Sequence, residues 1–264
     1  MTDMEDSGNL KDPGNIAEME NTANIQELVF HPGRGRGLTN LGWLQSRHSF
    51  SFGGYYSPDR MGFGSLRVLN DDRVIEGAGF DTHPHQNMEI VSIPLAGALE
   101  HQDSAGNRGI IQAGDVQIMS AGTGIMHSEY NHSAEEPVHF LQIWILPEEL
   151  DIKPRYEQST YRLPDRGLLP LVGPNANSAV RINQQAYFSI GVIPEQSDLS
   201  YSLHSETNGL YVFLLEGSIQ AGKRILKERD AVGIGGSPEA PVSFHGLTPE
   251  SRLLLIEVPP ARNQ

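Results

Sequence analysis

The sequence predicts an all-β protein made of two copies of one architecture, and three observations carry that expectation. From Gly64 to Leu146, short β-prone stretches (Leu66 to Leu69, Glu89 to Leu95, Val116 to Met119, Val138 to Leu146) are separated by Gly, Asp and Asn. This is the spacing of a β-sandwich or barrel, in which closure or double-sheet packing protects the strand edges. No long amphipathic helical pattern interrupts it. Finally, Leu210 to Gln220 echoes Glu89 to Glu100 with Gly217 in the place of Gly97, and Arg229-Asp230-Ala231-Val232 echoes Gly114-Asp115-Val116-Gln117, the mark of an internal repeat.

Taken in order, residues 1–24 hold six acids (Asp3, Glu5, Asp6, Asp12, Glu18, Glu20) against Lys11 and read as an acidic disordered tail. A first unit is expected over 25–150. Its stretch from Phe30 to Gly64 is rich in glycine and aromatic residues and reads as turns and short strands. There Gly33, Gly35 and Gly37 interleave with Arg34 and Arg36; two arginines are too few for an RNA-binding segment, so this is read as a turn. Pro147-Glu148-Glu149 closes the unit. The Pro-rich, polar residues 151–174 read as a linker arm, and a second unit follows over 175–264.

Composition narrows the chemistry. With no cysteine among 264 residues, disulfides, iron–sulfur clusters and thiol catalysis are excluded, and a reducing cytoplasmic setting is expected. A net charge of -14 argues against binding nucleic acid or an anionic membrane surface. The start of the chain shows no secretory pattern, and no apolar run approaches the ~20 residues of a membrane span.

The most informative residues are His83-Pro84-His85, Glu89 and His127-Ser128-Glu129. Alternate side chains on a strand share a face, so His83 and His85 would point one way, and His127 and Glu129 likewise. Two such strands facing each other can close on one ion. Three imidazoles and a carboxylate suit a divalent first-row metal such as Fe, Mn, Ni, Cu or Zn. Burying these groups around one point without an ion would cost several kcal/mol, on the order of the penalty for unpaired buried charge. Carried back from Gly217, the repeat puts Leu203 and Ser205 where the first unit has His83 and His85, so the second unit is expected to bind no metal. The other histidines are read conservatively: His101 and His132 as solvent-exposed, His139 as a satisfied core or rim residue, and His48 as unassigned. Met88, Met119 and Met126 read as core filler or pocket wall.

The fuller pattern of Gly77, His83, His85, Glu89 and Gly97, then Gly114, Gly122, Gly124, His127 and Asn131, resembles the two motifs of the cupin superfamily of β-barrel jelly rolls. Ser120 to Glu129 and Leu141 to Ile145 resemble the pirin family more closely. Gly42-Trp43-Leu44, Phe50-Ser51-Phe52, Leu66 to Asp72 and Pro154 to Gln158 are similar to its bacterial branch, bicupins with quercetin 2,3-dioxygenase activity. The resemblance implies two cupin-type domains. It also implies one divalent ion, Fe(II) first and Mn, Ni, Co, Cu or Zn as alternatives, held by His83, His85, His127 and Glu129. Typical cupins take the carboxylate from the position of Glu89; the pirin pattern and strand parity with His127 favour Glu129. The implied reaction is dioxygen-dependent opening of a flavonol ring to a depside and carbon monoxide, with Glu129 accepting the substrate hydroxyl proton. The alternative reading is a metal- or redox-sensing regulator that acts through a protein partner.

Overall fold

The computed structural model describes residues 26–235 and 241–261, so the expected acidic tail lies outside the described residues. Apart from one 3-10 turn at Gly33–Gly35, the regular structure is strand. In the first half these are β1 (Gln26–His31), β2 (Gly37–Asn40), β3 (Leu44–His48), β4 (Leu66–Val74), β5 (Gly79–His85), β6 (Glu89–Ala96), β7 (Ala98–Asp103), β8 (Arg108–Gln112), β9 (Asp115–Ser120), β10 (Ile125–Asn131), β11 (Val138–Ile145) and β12 (Arg155–Thr160). The second half holds β13 (Gly167–Gly173), β14 (Val180–Arg181), β15 (Tyr187–Pro194), β16 (Asp198–Tyr201), β17 (Gly209–Glu216), β18 (Ser218–Ala221), β19 (Arg224–Lys227), β20 (Ala231–Gly235), β21 (Val242–Gly246) and β22 (Glu250–Val258). Among the described residues no helix is long and apolar enough to cross a membrane.

The strands form two lobes of matching plan. The front lobe has a seven-stranded sheet, β12-β9-β6-β11-β4-β3-β2, and a four-stranded sheet, β5-β10-β7-β8; the rear lobe repeats this as β1-β20-β17-β22-β15-β13-β14 and β16-β21-β18-β19. The two large sheets pack on each other through a shared core, where Val91, Ile93, Leu141 and Ile143 meet Phe188, Tyr211, Phe213, Leu254 and Ile256. Both faces of the central strands are therefore buried, which is why β17 reads Leu-Tyr-Val-Phe-Leu-Leu rather than alternating with polar residues. The repeat is visible in the backbone. Gly97 and Gly217 join β6 to β7 and β17 to β18 with φ of +74° and +82°, a left-handed conformation that glycine adopts without the Cβ penalty.

Two domain expectations need correction. The proposed arm at 151–174 carries β12, which pairs with β9 of the front sheet, and β13, which pairs with β15 of the rear sheet. Residues Gln26–His31, assigned to the first unit, instead pair with β20 of the rear lobe. The rear lobe thus takes an edge strand, β1, from the start of the chain, and β12 is an edge strand of the front lobe. An edge strand is half-exposed and makes hydrogen bonds on one side only, so its composition resembles that of a loop.

Candidate metal centre

The centre lies inside the front barrel, on the inner face of the four-stranded sheet. β10 runs between β5 and β7, with His127 opposite His83 on one side and opposite Asp103 on the other. Burial alternates along β10, so Ile125, His127, Glu129 and Asn131 point inward while Met126 is exposed. A β-bulge follows His127 on the β5 side, which brings Glu129 opposite Phe80 and directs its carboxylate deeper into the barrel. The Ser120–Gly124 turn leading into β10 packs tightly: a Cβ on Gly122 would sit 1.9 Å from the Ile152 carbonyl oxygen, so the backbone approach there depends on glycine.

Three imidazoles converge. Ring centroids lie 4.5 Å apart for His83–His127 and 4.9 Å for both His83–His85 and His85–His127. The Nε2 atoms of His83 and His127 face each other at 3.0 Å. Nδ1 of His83 donates to the Asp81 carbonyl oxygen at 2.7 Å, which fixes the tautomer and leaves a lone pair on Nε2. Burial, followed by the neighbouring His83, lowers the His85 pKa to about 4. Burial, then His83, His85 and His101, lowers that of His127 to about 2. Both rings are therefore neutral, the form that coordinates a metal. Metal–nitrogen bonds of about 2.0–2.1 Å meeting at a right angle place two ligand nitrogens about 3.0 Å apart, the spacing found between His83 and His127. The residues present fit a divalent ion.

Glu129 forms a second group with His127 and His101 that overlaps the first through His127. Its carboxylate is fully enclosed and receives hydrogen bonds from Gln142 Nε2 at 2.5 Å and Ser92 Oγ at 3.2 Å. Burial outweighs those bonds and pushes its pKa up to about 7. Glu89 belongs to neither group. It accepts from Ser120 Oγ at 2.8 Å and from the Asn183 backbone N–H at 3.1 Å, tying the front lobe to the rear. A cavity of about 450 Å³ lined by Pro84, His85, Gln86, Ser104, Gly124, Ile125 and Met126 opens at His85.

His101 corrects the sequence reading. It is completely buried rather than solvent-exposed, and its ring centroid lies 5.3 Å from that of His127. Its Nε2 lies 3.2 Å from Asp103 Oδ2 and its Nδ1 3.5 Å from His127 Nδ1, while Tyr156 stacks on its outer face. Asp103 is itself held by the Ala105 and Asn107 backbone N–H groups. The signal was present in the sequence, because Leu99, His101 and Asp103 share one parity of β7 against exposed Glu100 and Gln102. The remaining readings match the structure: His132 is half exposed beside Glu100, His139 donates to Asp71 at the rim, Met119 is buried, and Met126 forms the cavity wall. His48 is buried and bonded to Thr39 and Asn70.

Comparison with known proteins agrees with this architecture. Residues 31–145 match the family model Pirin, and residues 171–258 match the model described as Quercetinase C-terminal cupin domain. The chain is 40% identical to the quercetin 2,3-dioxygenase of Escherichia coli K12 over 85% of its own length and 96% of the relative's. It is 38% identical to a putative quercetin 2,3-dioxygenase of Pseudomonas aeruginosa, over 84% and 95%. The crystal structure of the Escherichia coli bacterial pirin YhhW in complex with nickel(II) superposes with a TM-score of 0.81 at 38% identity, covering 88% of this chain and 99% of that one. Fold and site together define a two-barrel protein of the cupin-type dioxygenase class. Within that class, the chain belongs to the pirin family.

Proposed function

We propose that the protein is a metal-dependent dioxygenase that opens the ring of a flavonol such as quercetin, acting in the cytoplasm with Fe(II) as its ion and His83, His85, His127 and Glu129 as the ligands. The observation that carries this reading is the triangle of converging imidazoles with two facing Nε2 atoms beside a buried carboxylate. A divalent ion bound there supplies Lewis acidity and, for a redox metal, one-electron chemistry toward dioxygen.

The residues of the chain supply positioning and a proton acceptor. The cavity at His85 admits a planar aromatic molecule, with Met126 and Ile125 as apolar walls. Trp144, packed edge-on to His85 with ring centroids 4.9 Å apart, backs the ligand cluster. Glu129 is assigned to take the proton of the substrate 3-hydroxyl, and Ser92 and Gln142 keep its carboxylate aimed. His101 and Asp103 lie behind His127, where a ring nitrogen and a carboxylate orient a ligand from the side away from the ion. With quercetin, one dioxygen is consumed for each depside and carbon monoxide formed, so the atoms balance without a further reductant.

The test is incubation of protein loaded with Fe, Mn, Ni, Co or Cu with quercetin, with and without oxygen. Oxygen-dependent loss of flavonol absorbance is expected for at least one metal, and its absence for all five overturns the reading.

A further inference from the structure

The Arg-Gly alternation at 33–37 is not used by the metal centre, and the structure gives it a location. Its 3-10 turn carries the chain from β1 in the rear lobe to β2 in the front lobe and leaves Arg36 buried in the seam between them. Arg36 Nη2 pairs with Asp71 Oδ2 at 3.0 Å, and Arg229 of the rear lobe approaches the same oxygen with Nε at 3.7 Å. His139 uses the other oxygen of Asp71. Arg60 lies over the turn, its Nη2 3.7 Å from a Cβ built on Gly35, and has no acidic partner among the described residues. Its charge acts on both His31 and Tyr211, which are joined by a 2.9 Å hydrogen bond.

Four of the nine buried side-chain polar atoms without a partner among the described residues belong to this seam: Nη1 of Arg36, Arg60 and Arg229, and Nε2 of His31. A guanidinium N–H only donates, and guanidinium stays charged in proteins, so three orphaned donors on three cations call for an acceptor that carries negative charge. The neighbouring acids do not supply it. Asp71 is already shared by Arg36, Arg229 and His139, Asp230 accepts the Gly33 and Lys227 backbone N–H groups, and Glu228 reaches only Arg229 Nε, at 3.8 Å from an exposed position. The backbone shows a related oddity. Arg229 has φ of +65° at the place the repeat gives to Gly114, a left-handed conformation unfavourable for a long side chain.

We propose that this seam is a binding site for a small oxyanion, gripped by Arg36, Arg60 and Arg229 from both lobes. It is separate from the metal centre. Asp71 shares strand parity with Leu69 of the shared core, whereas Asp72 and Asn70 on the same strand face the barrel interior. Bound there, the anion neutralises the surplus guanidinium charge and ties the front lobe to the rear.

The experiment follows thermal unfolding of the full chain and of Arg60→Met in sodium phosphate, sulfate, acetate and chloride at matched ionic strength. For the wild type, the unfolding midpoint should climb by roughly 3–6 °C once phosphate or sulfate stands about tenfold above its dissociation constant, with chloride doing less. A response to acetate as well would assign the site to carboxylates in addition to tetrahedral anions. Arg60→Met should lose the oxyanion response by tenfold or more in apparent affinity, while the Arg36–Asp71 pair remains. Equal responses to all four salts, or an unchanged response in the variant, would overturn the proposal. If the variant does not fold, selenate soaked into wild-type crystals decides: an anomalous peak within hydrogen-bond reach of the three Nη1 atoms supports the site, and water alone there refutes it.

Discussion

The two barrels share a plan but not an interior. Inside the rear barrel, Leu210, Val212, Leu214, Ile219, Phe244, Leu253 and Leu255 form one continuous apolar cluster. In the front barrel the corresponding space is divided. Leu44, Val74, Leu99, Val138 and Phe140 pack at one end and Ile90, Met119, Ala121 and Ile125 at the other, with the histidines, Glu129, Gln142 and Ser92 between them. Where β6 turns Ser92 inward, the repeat puts Val212 on β17. The mouths differ as well: the loop that replaces His83 and His85 is anchored on buried Glu257, which accepts from the His204 and Ser205 backbone N–H groups, Tyr201 Oη and Asn208 Nδ2. One lobe therefore spends its interior on packing while the other keeps a polar chamber, and the shared core between the large sheets lets the second give up that packing.

The largest expected effect belongs to the chamber. His127→Ala should remove stoichiometric metal and leave activity below roughly 1% of wild type, with far-UV circular dichroism unchanged. Unfolding of that variant would show the ion to be structural, and the contrast would fail. Next comes the packed barrel: Leu255→Ala should cost about 2–5 kcal/mol in denaturant unfolding without altering metal content. A smaller cost would mean that the rear interior is not what holds that lobe together. His101→Phe, which keeps a ring in place, should weaken nickel binding by about 10–100-fold in chelator competition and preserve the fold. Unchanged affinity would remove His101 and Asp103 from the support of His127.

The smallest effect concerns Asp72, which turns into the chamber from β4. Burial, assisted by the charges of Asp71 and Glu129, pushes its pKa up to about 7. The folded state then holds a proton that the unfolded state releases near its ordinary value of about 3.8, so the associated stability is present below that pH and lost as pH rises through about 7. In the metal-free protein, Asp72→Asn should flatten the stability profile between about pH 4 and 7 and be more stable than the wild type at pH 8. An identical slope for variant and wild type in denaturant titrations across that window would refute the assignment.

Much of the chamber was legible in the sequence for a simple reason. His83 with His85, and His127 with Glu129, sit two apart within strand-like runs, and a period of two fixes their common face without any knowledge of tertiary structure. Locating the carboxylates of Glu89 and Glu129 needed the fold, because both lie inside strands and only the structure shows that Glu89 meets Ser120 and Asn183 while Glu129 lies beside His127 and His101. His101 was missed because its neighbours Glu100 and Gln102 are polar, so proximity to a hairpin masked the Leu99-His101-Asp103 alternation. The edge strands β1 and β12 were illegible for a different reason. Local pattern indicates that a segment is extended, but the identity of its partner depends on contacts more than a hundred residues away for β1.

The crossing of β1 and the late position of β12 limit how the molecule can be divided. A cut near residue 150 would strip Arg155–Thr160 from β9 and leave the front sheet with a raw margin, while the rear half would lose Gln26–His31 from beside β20. Each fragment would then offer unpaired backbone groups to any extended chain nearby, an invitation to aggregate. Neither fragment of such a cut is expected to survive alone as a well-behaved monomer.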